Sequence, residues 1–442
     1  MNPNNNREYL NKSLQQFENS PYPNIPIESI PKDNVKLLYE NSLITAKYRQ
    51  NGTVLTEFKD KLILDVACGT GITTLNLALA NPKAKIVGVD ISPESIKIAK
   101  DRLTYHGFAD AEFYVLAIED LDQLEQEFDL INASEVLYLL PDLTKALICL
   151  RQILKPDGII RANLHSYYQR FNFYRSQELF RLMGLMDENP EKDEITFVRD
   201  FFDCLKDDVD LKKQTWQQKH RGLGDQWVLC NHLLQNDQGF TVPQLISSLE
   251  IANLQLFGMV NSPEWNWRRL FKENEDLPAY LGLMLEEGSL EDQLCFYELV
   301  QPNKRLLDFW CGHPTEGEKV EKDWLTDSDE EILVHINPNL KTEAFRYAIL
   351  EDASLSPINP MQFFPFLHQN FWLDRTLMRA VYAPLLDSEK QLSYLVDKWL
   401  ALYPLDPTTM LSTAREQAAS IIRLVVEEHE AWGLLMLERK KI

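Results

Sequence analysis

Asp65, Ala67, Gly69 and Gly71 fall at every second position of "KLILDVACGTGITTLNLA", residues 61–78, where an apolar run meets a helical pattern. An acid followed by backbone with little side chain suits close approach to a ligand. Three readings compete: a pyrophosphate, a sulfonium nucleoside, or nothing beyond a tight turn. A dinucleotide fingerprint needs a third glycine or alanine where helix packs on strand, and that position is Thr74 counted from Gly69 or Ile72 counted from Ala67. A Walker-type phosphate loop needs Gly-Lys-Ser/Thr, which the chain lacks. Two glycines with Asp65 and a small Ala67 ahead of them exceed what a turn requires. The pattern that fits is D/E-x-G-x-G-x-G, with Ala67 in the first glycine position.

Asp90 closes the run "KIVGVD", 19 residues past Gly71. A carboxylate there matches the two donors of a cis-diol with two acceptor oxygens. The rival reading is a cap for the next helix, a task for which Ser92 is better suited. "YVLAIEDL" then offers Ile118 and Glu119, the latter either a ligand contact or a solvated acid. "FDLINASEVLYLLPD" offers Asn132, Ala133 and Ser134, then Glu135 and Tyr138; "LKPDGIIRANLHS" offers Asn163 and His165. His165 is the best-placed titratable group, because an ordinary imidazole titrates near pH ~6.5. It either serves as a general base or hydrogen-bonds a loop carbonyl, and Glu135 either serves as a base or caps a helix.

The elements needed to position these residues are legible as an alternation. "KLILDVA", "KIVGVD" (85–90), "AEFYVLA" (111–117), "FDLINAS" (128–134) and "IIRANLHS" (159–166) read as buried strands. Between them lie a helix stopped by Asn81-Pro82, a helix opened by Ser92-Pro93 and closed by Gly107, and a helix over 143–154 ending at a "KPDG" turn. Such alternation implies right-handed crossovers and a parallel, doubly wound sheet with helices on both faces. A sixth strand is expected after the helix in "TVPQLISSLEIANLQLFGMVNS" (241–262), and a seventh in "DQLCFYELV" or "RLLDFWCG". Before the sheet, an Asn- and Pro-rich arm leads to a helix over 34–48, from which Tyr22 and Tyr39 either close over the site or pack on the surface. The expected division is an arm and lid helix over 1–50, a sheet domain over 51–311 and a mostly helical accessory domain over 312–442. A cut near residue 318, in the acidic stretch "TEGEKVEKDWLTDSDEE", is expected to cross little regular structure.

Composition removes several classes. The net charge of −22, of which −5 falls in residues 1–165 and −17 beyond, repels phosphate backbones. The small basic stretches "LKKQTWQQKHR" (211–221) and "RKK" read as solvated surface, so no nucleic-acid partner is expected. Apolar runs are broken well before the ~20 residues of a membrane span, so no membrane partner is expected either. Six cysteines without a C-x-x-C pair argue against zinc and against a disulfide framework. With a polar first stretch lacking an apolar h-region, they lead us to expect a cytoplasmic protein with reduced thiols.

Taken in order, these five motifs over residues 55–170 resemble those of the class I S-adenosylmethionine-dependent methyltransferases. Within that superfamily they look like the type 11/12/25 group that includes the ubiquinone/menaquinone biosynthesis methyltransferases. The resemblance implies a seven-stranded Rossmann-like sheet with S-adenosylmethionine as cofactor. It implies that Asp65, Ala67, Gly69 and Gly71 meet the methionine part and that Asp90, followed by Ile91, holds the ribose. Ile118 and Glu119 stand near the adenine, where the family's usual acid is Ala117 here, and Asn132 and Ala133 lie beside the methyl group. The C-terminal helices and last strand resemble, by pattern alone, winged-helix-like regions attached to some protein-lysine methyltransferases.

Methyl transfer from a sulfonium needs alignment and exclusion of water more than it needs a base. His165, Glu135 and Tyr138 are the candidate catalytic residues. No N/D-P-P-Y/F/W tetrapeptide or Pro-Cys follows the fourth strand, which argues against exocyclic-amine and cytosine-C5 methylation in those styles. The expected acceptor is an oxygen, nitrogen or carbon on a small molecule, with a protein acceptor, or cofactor binding without catalysis, as the alternatives. The aromatic-rich "PMQFFPFLHQNFWLDR" (360–375) is either core or an acceptor groove.

Overall fold

In the computed structural model of the chain, which describes residues 22–30, 35–55, 58–272, 277–314, 328–351, 357–358, 363, 374–405 and 410–439, the alternation becomes one twisted sheet. Two helices, α1 (Val35–Glu40) and α2 (Leu43–Asn51), precede β1 (Leu62–Val66). Then follow α3 (Ile72–Ala80), β2 (Lys85–Asp90), α4 (Pro93–Tyr105), β3 (Glu112–Val115), β4 (Phe128–Ala133), α5 (Leu143–Gln152) and β5 (Leu154–Ser166). A helical insert comprises α6 (Tyr167–Leu182), α7 (Lys192–Cys204), α8 (Asp210–Thr215) and α9 (Asp225–His232). The sheet resumes with β6 (Gly239–Phe240), α10 (Val242–Ile251), β7 (Gln255–Met259), α11 (Ala279–Glu287), α12 (Leu290–Val300) and β8 (Leu306–Gly312). Its order is β3-β2-β1-β4-β5-β8-β7, with the two-residue β6 pairing beside the end of β5. β4 is buried at every position, as a strand covered on both faces must be.

Local signals explain most boundaries. Ser92 caps α4 by accepting the Ser95 N–H, Pro93 takes its first position, and Gly107 follows its end at φ +88°. The expected single helix over 34–48 is instead broken between α1 and α2. Asn81 is the cause: its amide donates to Asn41 O and its Oδ1 accepts the Leu43 N–H, so the break is fastened to the end of α3. "KPDG" is not a turn between helix and strand but lies within β5, with a register shift against β4. Lys155 reaches Asp129 at 2.7 Å and Lys47 pairs with Asp157 at 2.9 Å, pinning the irregular stretch from both sides. "DQLCFYELV" is helical as α12, opened by a Ser289–Asp292 capping box, so "RLLDFWCG" supplies the last strand of the sheet. That strand runs antiparallel to both β5 and β7, which corrects the wholly parallel expectation at this edge.

The C-terminal region holds β9 (Ile332–Ile336), α13 (Glu343–Leu350), α14 (Arg375–Asp387), β10 (Lys390–Gln391), α15 (Leu392–Leu402), α16 (Arg415–Ala431) and β11 (Leu435–Arg439). Its strands form an antiparallel sheet in the order β10-β9-β11. One apolar cluster runs from Ile63 and Leu130 on the large sheet and Leu77 of α3, through Tyr39, Leu43 and Ala46, to Val334, Phe345 and Ile422. Tyr39 is thus core of this seam, in van der Waals contact with Gly433, and does not close over the site. The acidic stretch over 315–327 and most of "PMQFFPFLHQNFWLDR" lie outside the described residues. Among the described residues no helix is long and apolar enough to cross a membrane.

Candidate active site

The cavity that matters lies past the C-terminal ends of β1, β2 and β4, where open α/β sheets bind ligands. Its volume is about 380 Å³, and Ala67, Gly69, Asp90, Ile91, Ile118, Glu119, Ser134 and Glu135 line it. Tyr22, Pro23 and Ile25 of the N-terminal arm line it too. Ala67 holds a left-handed backbone at φ 55°, a conformation that favours the glycine it replaces.

Asp90 presents a fixed carboxylate. Its Oδ2 accepts the Gly69 N–H and its Oδ1 the Ser92 N–H, both at 2.9 Å. Burial raises its pKa, and these backbone donors work against that rise. Glu119 contributes an Oε2 that is buried with no hydrogen-bond partner among the described residues.

Asp65, Gly71, Asn132 and Ala133 stand behind the residues that line the cavity. Asp65 accepts the Thr74 hydroxyl at 2.6 Å and the Asn132 amide at 2.8 Å, tying β1 to α3 and β4. Burial pushes its pKa up to about 6. Asn132 also receives the Ser134 hydroxyl at 2.8 Å. Gly71 starts α3 at φ +81°, and a Cβ there would stand 2.7 Å from Ala99 Cα, so it serves the packing of α3 on α4. Ala133 is buried within β4.

Glu135, Tyr138 and His165 do come together. Tyr138 donates to Glu135 Oε2 at 2.7 Å and stacks on His165 with ring centroids 3.6 Å apart. Glu135 itself has φ 60°, held by its N–H donating to Asn163 Oδ1 at 2.8 Å. Three residues that sequence reasoning did not single out complete the group: Arg305, Asp237 and Arg170. Arg305 grips both oxygens of Glu135 and donates to His165 Nε2 at 3.1 Å. Asp237 meets His165 Nδ1 at 2.6 Å and accepts from Arg170 at 3.0 Å and Gln177 at 2.9 Å. Burial pushes the Glu135 pKa up, but Arg305 and Tyr138 outweigh it and hold the carboxyl below its usual range. Burial dominates at His165 and lowers its pKa. With Nδ1 on Asp237, Nε2 on Arg305 and only 1% of its surface exposed, His165 is a buried neutral bridge away from the cavity lining. Arg305 became visible only once β8 lay antiparallel to β5, which pairs Leu306 with His165.

The sequence model of a family described as "Methyltransferase domain" matches residues 57–222. An uncharacterised protein of Synechococcus sp. is 28% identical over 283 residues, 62% of this chain and 64% of its own length. The human mitochondrial ubiquinone biosynthesis O-methyltransferase is 33% identical over 136 residues, 30% of this chain and 36% of its own. The chain thus spans less than two thirds of the length of these curated relatives. The structure of PKMT2 from Rickettsia typhi shares the fold at a TM-score of 0.61 and 17% identity, over 92% of this chain and 76% of that one. Residues 57–222 thus match a family described as a methyltransferase domain, and the chain shares the fold of the Rickettsia typhi structure.

Proposed function

We propose that the chain transfers a methyl group from S-adenosylmethionine to an oxygen, nitrogen or carbon acceptor on a small molecule held beside Glu135. One observation carries the reading: a single cavity brings together the anchored Asp90 carboxylate and the unpartnered Glu119 Oε2. A ribose diol donates to the first and an adenine amine to the second, while Ile91 and Ile118 offer apolar faces to the base. When bound, S-adenosylmethionine supplies an electrophilic methyl group on a positively charged sulfur. The chain's own residues then have to align the acceptor and keep water out. Ala67 and Gly69 leave backbone along the amino-acid portion, and Tyr22, Pro23 and Ile25 cover the cavity. Glu135 is ionised at neutral pH and accepts the acceptor's hydrogen, with Tyr138 and Arg305 fixing its direction. His165 has no free lone pair for the acceptor and serves to aim Arg305.

Val136, Leu139 and Leu140 line the cavity next to Glu135 and suit a small, partly apolar acceptor. The net charge of −22 opposes a nucleic-acid acceptor. The test is methyl transfer from labelled cofactor into a lysate fractionated by size and protease sensitivity. Label in the small, protease-resistant fraction supports the reading; label in a protease-sensitive fraction replaces it with a protein acceptor. Cofactor binding without transfer makes the chain a binding protein. Asp90→Ala should weaken S-adenosylmethionine binding by roughly 1.5–3 kcal/mol, and unchanged affinity by calorimetry removes Asp90 from the site.

A further inference from the structure

Gly69 has φ +52° and no room for a side chain: a Cβ there would sit 2.3 Å from the carbonyl oxygen of Tyr22. The atom crowding this glycine thus belongs to the chain's own N-terminal arm. Residues 22–30 contain no helix or strand, and the glycine loop and α4 take up their carbonyls in succession. Thr70 donates its N–H to Tyr22 O at 3.2 Å and its hydroxyl to Pro23 O at 2.8 Å. Arg102 of α4 donates from Nη2 to Ile25 O at 2.7 Å, from Nη1 to Pro26 O at 2.8 Å and from Nε to Thr70 O at 2.8 Å. His106, four residues on, has Nε2 2.8 Å from Ile27 O.

Arg102 is fully buried, at 0% exposure. A buried cation is costly unless it is hydrogen-bonded, and while the arm is closed three donors of this one are taken up, two of them by arm carbonyls. Its planar fork spans arm and glycine loop together, which a lysine's single ammonium cannot do. The segment it pins is the one that covers the cavity, through Tyr22, Pro23 and Ile25.

We infer that Arg102 is a positioning residue that latches residues 22–30 over the cofactor cavity, so that ligand exchange requires the latch to open. This rests on the cofactor reading above. The test uses full-length protein and the variants Arg102→Lys, Arg102→Met and Thr70→Val. Two quantities are measured: the release rate of S-adenosylhomocysteine by stopped flow, and hydrogen exchange of residues 22–30 without ligand. Arg102→Lys should speed release about tenfold, Arg102→Met more, and Thr70→Val a few-fold, on the scale of one or more lost hydrogen bonds. Exchange in the arm should rise in the same order. Wild-type release from a variant whose arm exchanges fast overturns the latch, as does a protected arm in Arg102→Met. Should the Arg102 variants fail to fold, the near-isosteric Thr70→Val decides alone. If the wild-type protein does not bind S-adenosylhomocysteine, the cofactor reading fails instead, and the exchange data still decide whether Arg102 holds the arm.

Discussion

Residues 167–238 and residues 328–439 both leave the large sheet as mainly helical additions, but the seams that join them to it differ in kind. The insert owns a core, built from Phe180, Val198, Phe202, Trp216 and Val228. It reaches the site through polar contacts, with Arg170 and Gln177 donating to Asp237, which in turn meets His165. The C-terminal region shares its core with α1, α2 and one face of the sheet, and no described residue of it lines the cavity. An apolar seam is strong, undirected and indifferent to pH, because area alone decides it. A buried polar seam contributes little net stability but fixes where its members point, and it answers to protons. The C-terminal region therefore holds the fold together, and the insert tunes the site.

The largest effect expected from this contrast is on truncation. A chain ending at residue 314 would expose Tyr39, Leu43, Ala46 and Leu77, which are now buried against the C-terminal region and its neighbours. Each large apolar side chain returned to water costs about 1.5–3 kcal/mol, so three of them take a large share of the roughly 5–15 kcal/mol that most domains hold. The fragment should aggregate and show no sharp transition in calorimetry, even though a cut near 318 is expected to cross little regular structure. A monomeric fragment that melts cooperatively and binds S-adenosylmethionine would break the comparison outright.

A smaller but more directed effect is expected at the polar seam. Asp237→Asn leaves Arg170, 1% exposed, without its carboxylate, and removing one partner of a buried pair costs about 3–5 kcal/mol. The loss should appear as faster hydrogen exchange in α6 while β1 to β5 stay protected. Its pH dependence has a definite sign. Burial lowers the His165 pKa, so the folded state binds fewer protons there than the unfolded chain once pH falls below ~6.5. At Asp237 burial raises the pKa, but His165 and Arg170 outweigh it and the net shift is downward, so its contribution is lost at still lower pH. Exchange in α6, corrected for the intrinsic rate, should thus be faster at pH 5.5 than at 7.5. A flat profile would mean that the seam is held by packing, as in the C-terminal region.

The same contrast explains what could be read in the sequence. Strands such as 85–90 and the cap at Ser92 were legible because period, Pro-Gly punctuation and burial agree within a dozen residues. The cavity residues Gly69, Asp90 and Glu119 were legible because they follow strand ends at fixed spacing. Asp65, Asn132 and Gly71 share those motifs but support the cavity from behind, a distinction of side-chain direction that spacing does not carry. Arg305 stands just before β8, which enters antiparallel, and Asp237 lies 72 residues past His165. Nothing local marks them; only the topology brings them to the site. Likewise the break at Asn41 depends on Asn81, 40 residues away.

The smallest effect concerns Arg49, a cation at the apolar seam. Arg49 of α2 donates from Nη2 to Glu430 O at 3.1 Å, which the Gly433 N–H also reaches, and to Ala431 O at 2.8 Å, at the C-terminal end of α16. Burial opposes its charge, but Tyr39 and Glu430 outweigh that and raise its pKa above the ordinary arginine value. Arg49→Met keeps the apolar stem and removes the donors and the charge, which favours a helix C-terminus. We expect a loss of about 1–2 kcal/mol in denaturant unfolding, the worth of one or two hydrogen bonds from a charged donor. Because Arg49 stays charged throughout, the loss should be equal at pH 5.5 and 7.5, and S-adenosylmethionine affinity should not change. A loss that grows at one pH, or a weaker cofactor, would place a titrating polar contact at this seam and erase the difference between the two regions.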